Sequence, residues 1–220
     1  MKKSFIFFGL FLCVLSQMRA QTGKSVFIPD EWKNPSNDIE WDSVNRMKQS
    51  ANCAVFWGPL AGNDPTQATN SALRFDPKNV LDSMEAVYSF LIDSMKIIPD
   101  SGQWAKYKLI IVMNNTWRDG LYTGWAYGGG YDNKVPAMWV DPGVFAQNAW
   151  VVTHEMTHSI QAMIPNMYPG HGFTNTNSGF FWETHANFMA FQRYPSFATA
   201  ADMPRAIDLS SYYIGSGRKH

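Results

Sequence analysis

Apolar residues recur at three-and-four spacing through 78–96, at Val80, Leu81, Met84, Val87, Tyr88, Leu91 and Met95. On a helix these positions form one stripe, so a core-facing helix is expected there, with Pro77 in its first turn. Residues 145–163, opened by Asp141-Pro142-Gly143 and closed by Pro165, read as a second helix, and 179–193, closed by Pro195, as a third. Shorter apolar runs have strand length. The stretch 51–57 is β-prone and ends at Gly58-Pro59, and 107–113 is almost continuously apolar, as a strand buried on both faces would be. Residues 136–140 form another short run, and Pro136 at its start marks it as an edge strand. Between these, 120–130 is rich in glycine and carries Tyr122, Trp125 and Tyr127, which reads as an aromatic loop. It lacks the strand–GxxxxGK–helix order of a phosphate loop and so predicts no nucleotide site. Residues 21–52 are polar and irregular and are expected to wrap the surface. The pattern is that of an α+β domain.

Composition changes this picture at the N-terminus. Lys2 and Lys3, an apolar run over 5–15 and the ending Met18-Arg19-Ala20 look like a secretory signal peptide over 1–20. Cys13 lacks the small preceding residue of a lipidation site, and the segment is short for a membrane span. A secreted or periplasmic protein is expected, with no stable membrane anchor after signal cleavage and a single domain over 21–220. Removing Lys2, Lys3 and Arg19 leaves 15 of the 18 basic residues against 18 acidic ones, with no basic run, so nucleic acid is not an expected partner. Cys53 is then the single cysteine, so the fold rests on its core and not on a disulfide. Nine tryptophans are expected to fill core and cleft. The tail ends at 216–220 without a finished element, which suggests truncation at the C-terminus.

The chemistry concentrates in the second helix, at His154-Glu155-Met156-Thr157-His158. Residues four apart share a helix face, so two imidazoles can meet one Zn2+ ion, with Glu155 beside its open position. Zinc ordinarily takes a third protein ligand. The metzincin pattern is absent, since Gln161 and Ile164 stand where it needs Gly and His. Downstream candidates are His171, Glu183, His185, Asp202, Asp208 and His220. Glu183 is favoured because it is the carboxylate on the third helix. His185, about 200° round that helix from Glu183, is expected to be structural or to sit behind the ligands.

The pair His154-Glu155-Met156-Thr157-His158 and Trp182-Glu183-Thr184-His185-Ala186-Asn187 resembles gluzincin-type zinc metallopeptidases (zincins). It is similar to the motifs of collagenase-like and plant basic-secretory-protein-like peptidases, and whole-chain character is closer to a group of secreted bacterial zincin-like proteins. The resemblance covers 137–190. It implies a zincin-like fold, with a small twisted sheet and an edge strand over the metal-binding helix, followed by a mostly helical C-terminal part. It implies His154, His158 and Glu183 as ligands of one zinc ion and Glu155 as catalytic base. It also implies that Ala137, Met138, Trp139 and Val140 run along the cleft and pair with substrate backbone. Thr184 stands where the family usually has Gly, and Asn187 where it usually has Asp or Glu. The Asn187 oxygen can still accept the free ring N–H of a ligand histidine.

The expected function is a secreted zinc metallopeptidase, endopeptidase favoured, acting on a peptide or protein substrate. Zinc activates water, and Glu155 takes its proton and passes it to the leaving amine. Tyr168, His171, Tyr212 and Tyr213 have the right chemistry for a second electrophile at the carbonyl oxygen, and the sequence does not choose among them. Two rivals remain. One is an exported zincin-fold binding module for protein or carbohydrate, with weak or no hydrolysis, using the aromatic residues of 120–131. The other is a structural exported protein whose motif is fortuitous.

Overall fold

The computed structural model describes residues 23–33, 41–132, 134–147, 149–163 and 179–197. Five strands form one mixed sheet: β1 (Met47–Gln49), β2 (Cys53–Phe56), β3 (Leu109–Met113), β4 (Ala126–Tyr131) and β5 (Val135–Val140). Their spatial order is β1-β2-β3-β5-β4. The inner strands β2, β3 and β5 run parallel, and the outer strands β1 and β4 are antiparallel to their neighbours. The helices are α1 (Asp30–Lys33), α2 (Pro77–Tyr88), α3 (Gln103–Lys106), α4 (Pro142–Gln147), α5 (Ala149–Gln161) and α6 (Gly179–Arg193).

The inner strands are apolar at nearly every position because both sheet faces are covered. Cys53, Val55, Leu109, Ile111, Met113, Met138 and Val140 face the helices, in one core with Val80, Met84 and Val87 of α2 and Val152, Met156 and Ile160 of α5. The alternate residues Ala54, Phe56, Ile110, Val112, Ala137 and Trp139 face the other way, toward Trp117, Tyr131 and the N-terminal segment. There Trp32 and Trp41 stack on each other and meet the Phe56 ring edge-on. The polar-looking N-terminal stretch thus seals one face of the sheet with aromatics. Trp57, Trp104, Trp117, Trp139 and Trp182 are buried, whereas Trp125 is 60% exposed.

The edge-strand expectation for 136–140 is overturned. β5 is hydrogen-bonded to β3 on one side and β4 on the other, so Ala137, Met138, Trp139 and Val140 have no free edge for a substrate. Pro136 fits because pairing with β3 begins at Ala137, one residue later. The true edge on this side is β4, inside the stretch read as a loop. Its Gly128-Gly129-Gly130 offers no side-chain alternation from which a strand could be read.

Two helices also differ from expectation. Asp76 caps α2, its carboxylate accepting the Lys78 N–H at 2.8 Å. The α-helix ends at Tyr88 and continues as a π-helical turn over Ser89–Ser94, in which the Met95 N–H reaches the Phe90 carbonyl at 2.9 Å. The extra residue rotates the stripe, so Leu91 and Ile92 are buried while Met95 is left 39% exposed. The span 145–163 is occupied by two helices, α4 and α5. One polar network locks α2 to the β1–β2 turn. Glu85 accepts from Ser50 Oγ (2.5 Å), Asn52 N–H (2.6 Å) and Asn52 Nδ2 (2.8 Å), and Lys108 Nζ donates to the Ser50 carbonyl.

Candidate functional site

All of α5 from Val151 to Gln161 is buried, although much of it is polar. Such a helix is tolerable only where its polar atoms find partners. Thr157 Oγ1 donates to the Thr153 carbonyl at 2.9 Å, and Thr153 Oγ1 to the Ala149 carbonyl at 3.3 Å. Ser159 Oγ bonds the Glu155 carbonyl at 3.0 Å and reaches across to the Ala137 carbonyl of β5 at 2.7 Å. The helix is thereby tied to the sheet beside it.

The four-residue spacing brings His154 and His158 together, and α6 supplies Glu183. The two Nε2 atoms are 2.9 Å apart. His154 Nε2 lies 3.3 Å from Glu183 Oε2, and His158 Nε2 lies 3.3 Å from Glu183 Oε1. Donors around a tetrahedral zinc with bonds near 2.0–2.1 Å lie about 3.3 Å apart. Two imidazole nitrogens and a carboxylate converging at 2.9–3.3 Å have the chemistry of a zinc donor set and lie near its spacing; among the described residues this is the group with such geometry. Tryptophans flank the pair. Trp150 stacks on His154 (centroids 5.2 Å, 26°) and Trp182 on His158 (5.3 Å, 12°).

Behind the imidazoles the two histidines differ. His158 Nδ1 meets Gln161 Oε1 at 2.7 Å. Gln161 Nε2 in turn lies 3.0 Å from the Trp182 carbonyl and 3.0 Å from His185 Nδ1. His154 Nδ1 is buried with no hydrogen-bond partner among the described residues. Among the described residues the acceptor at His158 Nδ1 is thus Gln161 and not the expected Asn187, which lies on α6, and none meets His154 Nδ1. Sequence reading missed Gln161. The signal was there, since a residue three beyond His158 shares its helix face. His185 meets Gln161 on the side away from the His154–His158–Glu183 group, and burial lowers its pKa.

Glu155 is buried under the edge strand, and its carboxylate accepts the Gly128 N–H. Burial raises its pKa above the usual carboxylate range, against the pull of the two imidazoles, and the charge of Glu183 adds to the rise. Burial acts the same way on Glu183, but without an ion the protonated forms of His154 and His158 outweigh it, hydrogen-bonding to the carboxylate and lowering its pKa to about 2. The approach of β4 to α5 depends on glycine. A Cβ on Gly128 would stand 2.0 Å from the Glu155 carbonyl oxygen and 2.8 Å from His158 Cβ.

Of the site residues read from sequence, His154, Glu155, His158 and Glu183 are brought together. Ala137, Met138, Trp139 and Val140 are in the sheet interior, one strand away from the edge. Tyr168, His171, Tyr212 and Tyr213 lie outside the described residues, as do the signal segment 1–20 and the C-terminal tail. No described helix is long and apolar enough to cross a membrane.

The chain matches no curated protein. It also matches no solved structure. The model of a family of unknown function, DUF6055, matches residues 18–220, nearly the whole length, and the chain belongs to that family.

Proposed function

We propose that this protein is an exported zinc-dependent peptidase of zincin-like architecture. The observation that carries the reading is the convergence of His154 Nε2, His158 Nε2 and the Glu183 carboxylate, with the buried Glu155 carboxylate next to them. Two neutral imidazoles and one carboxylate are a common zinc donor set that leaves one coordination position open. The ion, when bound, supplies Lewis-acid chemistry: it makes water acidic and polarises a carbonyl oxygen.

The remaining work falls to the chain. Glu155 stands one residue from His154 on the same buried helix, fixed by the Gly128 N–H. Its raised pKa suits a group that accepts a proton from water and returns it to a leaving amine. The tryptophans flanking the imidazoles exclude solvent from the ligand rings. β4 lies over α5, and among the described residues no strand pairs with its outer edge, so an extended peptide can add to it as a further strand. That geometry favours an endopeptidase and transfers to β4 the substrate-pairing role expected of 137–140.

The test is zinc content after gentle purification, combined with cleavage of a broad peptide library by the wild type and by Glu155→Gln. One zinc per chain and cleavage lost in the variant are expected. Stoichiometric zinc without Glu155-dependent cleavage would instead support a binding module. A folded chain that takes up no zinc would refute the reading altogether.

A further inference from the structure

We propose that Gln161 is a positioning residue whose side-chain amide sets the tautomer of His158 and couples the helix carrying both histidines to the helix carrying Glu183. The inference rests on the zinc reading of the site for its functional meaning. Its structural content follows from the hydrogen-bond donors and acceptors alone.

The amide can be oriented in one way only. The Trp182 carbonyl is a pure acceptor, so the group 3.0 Å from it must be the Gln161 NH2. Oε1 therefore faces His158 Nδ1 at 2.7 Å. An amide oxygen carries no proton, so the ring nitrogen carries it. In the neutral imidazole the lone pair then sits on Nε2, which points at His154 Nε2 and Glu183. The second N–H of Gln161 meets His185 Nδ1 at 3.0 Å, which makes that nitrogen an acceptor. Gln161 is 2% exposed, so water does not replace these bonds. One buried amide thus satisfies three partners, one on its own helix and two on α6.

The coupling follows from the same contacts. Gln161 is three residues after His158, and Trp182 and His185 are three apart on α6, with Glu183 between them. Fixing the Trp182 carbonyl and the His185 ring fixes the turn of α6 that presents the third ligand. The Trp182 ring, stacked on His158, reinforces the same register. Among the described residues His154 Nδ1 has no such acceptor and Trp150 stacks on its ring, so the preorganisation seen here lies on the His158 side.

The experiment compares wild type with Gln161→Met, which keeps the length and removes the polar atoms, and Gln161→Glu, which keeps an acceptor toward His158. The His158 tautomer is read in zinc-free protein by long-range nitrogen–proton NMR, and the zinc Kd by competition with a chromophoric chelator. The wild type is expected to show the Nδ1–H form. Gln161→Met should lose that preference and bind zinc about 10- to 100-fold more weakly, the usual effect of removing a partner behind a metal-bound histidine. Gln161→Glu should keep the tautomer and bind more tightly than Gln161→Met. An Nε2–H form in the wild type, or an unchanged tautomer and Kd in Gln161→Met, would overturn the inference. A chain that takes up no zinc overturns the reading of Proposed function, whereas the tautomer in zinc-free protein still decides the role of the amide.

Discussion

Gly128→Ala isolates the contact between the edge strand β4 and helix α5. The added Cβ would lie 2.0 Å from the Glu155 carbonyl oxygen, and reaching an ordinary 3.4 Å contact requires a retreat of about 1.4 Å. The obstacle is backbone on a buried helix, not the end of a flexible side chain, so strand and helix must separate. Such overpacking costs about 1–3 kcal/mol. For a chain of this size each kcal/mol lowers Tm by about 2–4 °C, so a fall of roughly 2–12 °C is expected. The same movement draws the Gly128 N–H away from the Glu155 carboxylate and disturbs His158, whose Cβ is the next contact at 2.8 Å. Zinc affinity and Glu155-dependent cleavage should therefore fall along with stability. Gly129→Ala is the internal control. Its Cβ would meet only Trp139 Cζ3, at 3.5 Å, so that variant should melt within a few degrees of wild type or slightly above it. Thermal melts of both zinc-free variants and titration of each with zinc make the comparison. Equal melting points and equal affinities for the two alanine variants would refute the claim that glycine at 128 sets the seating of β4 on α5.

Metal linkage gives a second prediction. At free zinc 1,000-fold above Kd the folded state gains about 4 kcal/mol, so a chelator should lower Tm by roughly 8–16 °C. Glu183→Ala should abolish that difference, and scanning calorimetry with and without chelator reads it; an unchanged melt in wild type would contradict zinc as a ligand. Acid stability gives a third. Burial works to raise the Glu85 pKa, but the bonds from Ser50 and Asn52 and the charge of Lys108 outweigh it and leave the group below its ordinary value. A depressed carboxyl contributes stability that is present above its unfolded pKa, near 4.5, and is lost as pH falls through the lower folded value. Glu85→Gln should cost on the order of 1 kcal/mol at pH 7 and flatten the acid limb below pH 5. Urea unfolding across pH 3–7 would detect it, and parallel pH profiles for the two proteins would rule it out.

The elements most legible in sequence were those whose side chains carry a period. The stripe read over 78–96 forms a helix and keeps its buried face as far as Ile92, the runs read at 51–57 and 107–113 form strands at Cys53–Phe56 and Leu109–Met113, and the helix read at 179–193 forms over Gly179–Arg193. The His154–His158 spacing brought two imidazoles together for the same reason, because helical phase is local information. β4 was illegible because two of its helix-facing positions, Gly128 and Gly130, are glycine where a Cβ would clash, and glycine carries no periodic signal. The edge assignment failed because a missing proline donor matters only where a partner strand needs it. Gln161 was passed over as a departure from another family's pattern, although its place on the His158 face was readable. Its bonds to Trp182 and His185 depend on the packing of two helices, which no local pattern encodes.

The aromatic seal over the second face of the sheet has a consequence for the order of assembly. Trp32 and Trp41 precede the whole sheet in the chain, yet they dock on Phe56, Trp117 and Tyr131. That surface is complete only once β5, which begins at Val135, has been made and inserted between β3 and β4. The parallel strands beneath it are themselves non-local pairings, which form slowly. The chain therefore carries its cover for about a hundred residues before there is anything to close. During that interval a broad aromatic surface stands open, and the folding yield of this protein should fall steeply as its concentration rises.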